Sequence, residues 1–210
     1  MTTSEGDRTI ATDKLSIPKT NMSVYEAIYQ RRSVKQFTDT PLPDESLKRM
    51  LDAAVLAPNH RLTEPWRFFV LAKGGALRAK VADLTWELTY ERVANPNPEH
   101  KERAANIAKQ RVLNGPGMVY VYCVPGRDDE ETQENYSSVS IAAHNFTLAA
   151  EAEGFSVDWT TGNVMKHPML AETLGADPSW KIVVALFLGK PITTPTSRRS
   201  PSSEYVNWLK

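Results

Sequence analysis

The chain has 210 residues, 41% of them hydrophobic and 24% charged, a size and composition suited to one soluble globular domain with a sizeable core. Its 25 Lys and Arg balance 25 Asp and Glu, which excludes a generally basic nucleic-acid or anionic-membrane binder, so any anion site must be local. One cysteine, Cys123, excludes an intrachain disulfide or a multi-cysteine metal site; the apolar run Ile182 to Leu188 is too short to span a bilayer, and the polar N-terminus carries no signal-like apolar stretch, so a cytoplasmic protein is expected.

Residues 1–21 read as a loose polar arm, and 22–210 as a single domain. A first helix starts at Ser23, where Ser23 and Glu26 fit a capping box. It stops at Arg31 and Arg32, and the next residues read as a short extended piece. Pro41 and Pro43 mark a turn before a second helix over about Asp44 to Leu56, with Leu47, Met50, Leu51, Ala54 and Val55 on one stripe. Trp66 to Ala72 is a continuous apolar run and predicts a strand buried on both faces. Leu77, Val81, Leu84 and Leu88 mark a third helix, broken by the Asn95–Pro98 segment, and a weaker fourth helix follows. Met118 to Val124 predicts a second strand, and a polar loop follows it.

The fifth helix is expected from about Tyr136 to Glu153, central in the fold because its alanines allow close packing, with Gly154 as its C-cap. An extended segment follows from Phe155, then a short helix between Pro168 and Gly175, and the apolar strand from Lys181. Pro191, Pro195 and Pro201 keep the tail of about 190–210 extended. Its Tyr205, Val206, Trp208 and Leu209 need a surface to bury on. Helices and strands interleave, which predicts a helix-covered sheet.

Four segments carry polar chemistry. The first is Tyr29 to Phe37, where Arg31, Arg32 and Lys35 surround Ser33. An extended backbone would point Arg31, Ser33 and Lys35 to one side and Arg32 to the other. The cluster reads equally as cations at a helix C-terminus, favoured by the macrodipole, or as a clamp for an anion such as phosphate. The second is the glycine-free loop from Ala57 to Trp66, containing Pro58, Asn59 and His60. The third is Trp159 to Gly162, where Thr161 and Gly162 permit close backbone approach to a ligand. The fourth is the tail segment with Arg198 and Arg199. Cys123 reads as an inert core residue, Trp86 as core, and Tyr90 as either core or the rim of a substrate mouth. His60, His100, His144 and His167 show no metal-ligand spacing.

In their order and spacing, these four segments resemble the FMN-dependent nitroreductase family, in the subgroup with an Ala-Pro-Asn/Asp-His loop, from about Met22 to Trp208. The resemblance implies an α+β three-layer sandwich, with a mostly antiparallel central sheet flanked by helices. It implies a homodimer with FMN at its interface and the C-terminal tail docked on the partner subunit. Arg31 and Ser33 would then contact the FMN phosphate or ribityl chain, with Arg32 alongside, and Lys35 would lie by the flavin N1/O2 edge. Pro58, Asn59 and His60 would face the flavin ring, Thr161 and Gly162 its N5, and Arg198 or Arg199, preferably Arg198, would complete the phosphate site. NADH or NADPH would deliver hydride to the flavin, and a nitroaromatic, quinone or other electron-poor acceptor would take the electrons in a ping-pong cycle. Another redox role, such as dehalogenation, ring oxidation or flavin cleavage, or a non-catalytic flavin store, fits the same resemblance. One position departs from the family pattern: Glu64 stands where glutamine is usual, with Arg61 and Arg67 as candidate partners for its carboxylate, unless it faces away.

Overall fold

A computed structural model describes residues 20–209; most of the N-terminal arm expected over residues 1–21 lies outside the described residues. The first helix, α1, spans Val24–Gln30, and its start follows the predicted capping box. Ser23 Oγ accepts from the Glu26 amide and the Glu26 carboxylate accepts from the Ser23 amide. Helix α2 covers Asp44–Ala54, α3 Ala76–Arg92 and α4 Pro98–Asn114. Helix α5 runs over Asp129–Ala152 and the short α6 over Leu170–Leu174.

The strands are β1 Trp66–Val70, β2 Gly117–Cys123, β3 Ser156–Thr160 and β4 Lys181–Gly189. They form one sheet in the order β1-β2-β4-β3, antiparallel throughout. Strand alternation sends Val119, Val121, Leu186 and Leu188 to one core with Met50, Val139, Phe146 and Ala150. Met118, Tyr120, Ala185 and Phe187 go to a second core on the other face, with Val81, Val112 and Leu170. The result is the expected α+β sandwich: α2 and α5 on one face, α3, α4 and α6 on the other.

Three expectations change. Strand β1 is an edge strand with mixed burial, because its outer side has no partner strand and Val70 is left exposed. Helix α5 begins seven residues earlier than the expected start at about Tyr136. Asp128 caps it by accepting from the Glu131 amide, and Asp129, Glu130 and Glu131 fill the first turn, so what reads as a polar loop is a helix start favoured by its acidic residues. Trp86 is not in the core; it stacks on Tyr90, with ring centroids 5.1 Å apart, and donates to Asn106 on α4.

Helix α5 is central as expected, packing on α1, α2 and the inner strands. It ends at a left-handed Gly154 (φ 76°), and the Phe155 amide returns to the Ala150 carbonyl. Among the described residues no helix is long and apolar enough to cross a membrane.

Candidate functional site

The segment after α1 is locked to the sheet edge. Ser33 forms a parallel bridge with Val157 on β3, and Phe37 an antiparallel bridge with Pro191. Val34 is buried between them, leaving Ser33 and Lys35 exposed on the outer side. Four extended steps separate Arg31 from Lys35, about 13 Å.

One end of this strip opens on a cavity of about 290 Å3 lined by Ile28, Tyr29, Arg31, Arg32, Ser197 and Arg199. The other end, at Lys35, borders a larger cavity of about 540 Å3 walled by Phe37, Ile107, Arg111, Phe187 and Ile192. Beneath β3, Arg111 stacks on Phe187 and pairs with the buried carboxylate of Asp158.

The two adjacent arginines have different work, but not in the way strand alternation predicts. Arg31 is the C-cap of α1 (φ −53°, ψ 126°), where the chain turns from helix to extended. Arg32 curls back, and its Nη1 donates to the carbonyls of Tyr29 (2.7 Å) and Arg31 (2.8 Å) at the end of the helix. Both side chains therefore border the same cavity. Arg32 serves the helix terminus, as the macrodipole favours. Among the described residues the Arg31 guanidinium makes no hydrogen bond or ion pair.

Of the two tail arginines, Arg199 reaches this cavity, where it donates to Ser197 Oγ; Arg198 does not line it. Two titratable groups of α5 lie nearby. Partial burial, and then the Arg31 charge, hold the His144 imidazole below its ordinary range. Burial pushes the Glu151 carboxyl up, against the pull of Arg31 and Arg32, and Glu151 Oε2 is buried without a hydrogen-bond partner.

The loop from Pro58 to Glu64 is built by Asn59. Its Oδ1 accepts from the Glu64 amide (2.7 Å), and its Nδ2 donates to Thr63 Oγ1 (3.0 Å) and Ser138 Oγ (3.4 Å). The Asn59 amide is thus spent within the protein, which leaves Pro58 and His60 as the exposed members of the predicted trio. Arg61, Leu62 and Glu64 all sit at positive φ (62°, 51° and 46°). For residues with a Cβ this costs of order 1–3 kcal/mol each. Such stored strain points to a functional loop, and no residue pattern announced it. The Glu64 side chain is exposed and meets neither candidate partner: Arg61 pairs with Glu131 (3.6 Å), and Arg67 donates to the Glu64 and Trp66 carbonyls.

Thr161 and Gly162 are exposed at the end of β3. Gly162 has an ordinary φ of −75°, and a Cβ there would meet only Thr160 Oγ1, at 3.6 Å. The protein's own packing gives no reason for glycine, so the open space above it is free for a ligand to approach the backbone.

The smaller cavity, at Arg31, and the Pro58–His60 loop lie on different sides of α5. The loop binds Asn135 and Ser138, whereas Arg31 is beside His144 and Glu151. At 3.6 residues per turn these pairs are about 160° apart around the helix and about 16 Å apart along it.

Known proteins resemble this chain along most of its length. Over 178 residues it is 25% identical to a putative NAD(P)H nitroreductase, YfhC, of Bacillus subtilis, covering 84% of this chain and 89% of that one. It is 28% identical to the iodotyrosine deiodinase of Hydra vulgaris, covering 90% and 73%. A nitroreductase-like family protein of Bacillus cereus superposes with a TM-score of 0.78 at 27% identity, covering 92% of this chain and all of that one. A putative nitroreductase from Desulfovibrio desulfuricans, solved in complex with FMN, superposes with a TM-score of 0.69 at 23% identity, covering 91% and 99%. The nitroreductase family model matches residues 28–190, and with the sandwich and its edge strip in place, the chain belongs to the nitroreductase family.

Proposed function

We propose that this protein is an FMN-dependent oxidoreductase that draws on NADH or NADPH and reduces small electron-poor acceptors such as nitroaromatics or quinones. The observation that carries this reading is the pair Arg31 and Arg199, two cations facing one small cavity at the end of a strip whose other end is Lys35. Arginine forks without a protein carboxylate in contact suit a phosphate, and Ser197 and Ser33 add short hydroxyl donors. The strip's length of about 13 Å suits a ligand with phosphate at one end and a planar ring at the other.

When bound, FMN supplies hydride and electron transfer between donor and acceptor. The residues of the chain hold and tune it. Arg31 and Arg199 anchor the phosphate. Lys35, at the far end of the strip, would supply the positive charge that favours a negative charge on the ring. The open backbone at Thr161 and Gly162 lets the ring approach, and solvent supplies protons.

The Pro58–His60 loop belongs to the same site only in a dimer. Helix α5, about 10 Å across, separates this loop from Arg31 within one chain. A second copy brings its own loop to the first copy's strip. Exposed Val24, Tyr25, Ile28 and Tyr29 on α1 and Ile141 on α5 supply an apolar face for that contact. The tail, with Trp208 and Leu209 at 88% and 95% exposure, docks on the partner. Truncation after Pro191 is expected to shift the dimer toward monomer by light scattering; an unchanged dimer sinks the tail assignment.

The deciding experiment is anaerobic stopped flow on the purified protein after its FMN content is measured. Bleaching of the flavin by NADH or NADPH within seconds is expected. Flavin that neither nicotinamide reduces removes the reductase reading and leaves a flavin store. The deiodinase relative favours a second reading, reductive dehalogenation of halophenols, which release of halide ion under the same conditions would reveal.

A further inference from the structure

Helix α3 reaches across to the turn after Gly162 through its last two turns. Asn163, the residue after Gly162, is held by two side chains one turn apart on one face of α3. Asn163 Nδ2 donates to Thr89 Oγ1 (3.5 Å), and Arg92 Nη1 donates to Asn163 Oδ1 (3.5 Å). One turn back, Glu87 faces His167 (3.4 Å). From below, the Tyr120 hydroxyl donates to the Val164 carbonyl (2.6 Å), so the turn Asn163–Met165 is pinned between sheet and helix.

Arg92 differs from the other members of this group. It is exposed, it uses one donor on Asn163, and among the described residues it has no carboxylate partner. A cation without a carboxylate partner is thus held on Asn163, one residue from the open backbone at Gly162.

We propose that Arg92 is a specificity-determining residue, which selects electron-poor aromatic acceptors carrying a carboxylate or comparable anionic group. The inference rests on the reading that the acceptor binds beside Thr161 and Gly162. The planar guanidinium fork matches a carboxylate, and its attachment to Asn163 fixes it relative to the reacting end of the acceptor. A neutral acceptor of the same shape gains nothing from it. Thr89 and Asn163 act as positioning residues for Arg92.

The test uses two matched probes, 4-nitrobenzoate and 4-nitrobenzyl alcohol, with the protein as purified. Isothermal titration calorimetry gives the binding ratio of the two, and steady-state kinetics gives the ratio of their kcat/KM values. The wild type is expected to favour the carboxylate in both, and Arg92→Gln to lower each ratio about tenfold, in line with loss of one charge-assisted contact. Arg92→Lys is expected to restore part of the loss. A wild type that does not discriminate, or an Arg92→Gln variant with unchanged ratios, overturns the proposal, as does failure of 4-nitrobenzoate to bind; binding of 4-nitrobenzoate alone supports it, provided Arg92→Gln weakens that binding about tenfold. Flavin content and bleaching by a nicotinamide, measured on the same samples, report separately on the redox reading. Calorimetry therefore decides the role of Arg92 even if no turnover is seen.

Discussion

Two sets of arginines on this protein have opposite environments. Arg78 is almost wholly buried, and its guanidinium donates to three carbonyls: Val112 (2.6 Å), Leu71 (3.2 Å) and Gly115 (2.5 Å). Burial pulls it down to about 10, yet it stays charged at neutral pH. Arg31 and Arg199 border an open cavity and, among the described residues, pair with no carboxylate. A saturated cation welds structure: Arg78 joins α3 to the ends of β1 and α4. An unsaturated one waits for an anion. Which of the two a given arginine is depends on how many of its donors the protein has already used.

The largest way to break this contrast is Arg78→Met. It keeps most of the volume and strands two buried carbonyls and the half-buried one of Gly115, so a loss of about 3 kcal/mol is expected in urea denaturation. FMN bound per folded molecule should be unchanged. Arg31→Ala should do the reverse: stability within about 0.5 kcal/mol of the wild type, with FMN affinity down about 10- to 100-fold by equilibrium dialysis. Full flavin retention in that variant would place the phosphate elsewhere. Gly162→Ala sharpens the same distinction without touching charge. A Cβ there meets only Thr160 Oγ1 at 3.6 Å, so thermal stability should hold. A ligand lying against this backbone would be pushed off, with an expected loss of about tenfold in FMN affinity.

Much of the fold and the grouping of Arg31, Ser33 and Lys35 was legible in the sequence, but the contrast between the arginines was not, and nothing there singled out Arg78. The capping box at Ser23, the stripe of α2 and the apolar core strands declare themselves through spacing, and each lies where expected. Residue order also carried the resemblance that groups Arg31, Ser33 and Lys35. What sequence did not reveal depends on contacts distant in the chain. Alternation placed Arg32 opposite Arg31, but a long side chain bends back to the nearest unsatisfied carbonyls, here those at the end of α1. Nothing local ranks Arg198 against Arg199. Nor does the Pro58–Glu64 loop disclose that the Asn59 amide is consumed by Thr63, Glu64 and Ser138. Arg92 was missed because its significance comes from Asn163, 71 positions away. Strand β1 reads as buried because its composition is apolar, and only the strand order makes it an edge.

The subtlest probe of the contrast is Glu151, the carboxylate nearest in kind to a protein partner for Arg31. Burial raises its folded pKa above the ordinary carboxylate value, with Arg31 and Arg32 pulling the other way and not prevailing. Proton binding therefore favours the folded chain. That stabilisation is present below the ordinary carboxylate pKa and is lost as pH rises through the raised folded value. At neutral pH the ionised group, with Oε2 buried and unpartnered, works against the fold. Glu151→Gln should then raise stability at pH 7.5, by under about 1 kcal/mol because the group is partly solvated, and with it Tm; the gain should vanish near pH 4. The same substitution removes a negative charge beside the proposed phosphate site and should tighten FMN binding. The opposite result, a fall in Tm at pH 7.5 together with looser flavin, would make Glu151 the true partner of Arg31. Arg31 would then belong with Arg78 among the saturated cations, and the anion site would reduce to Arg199.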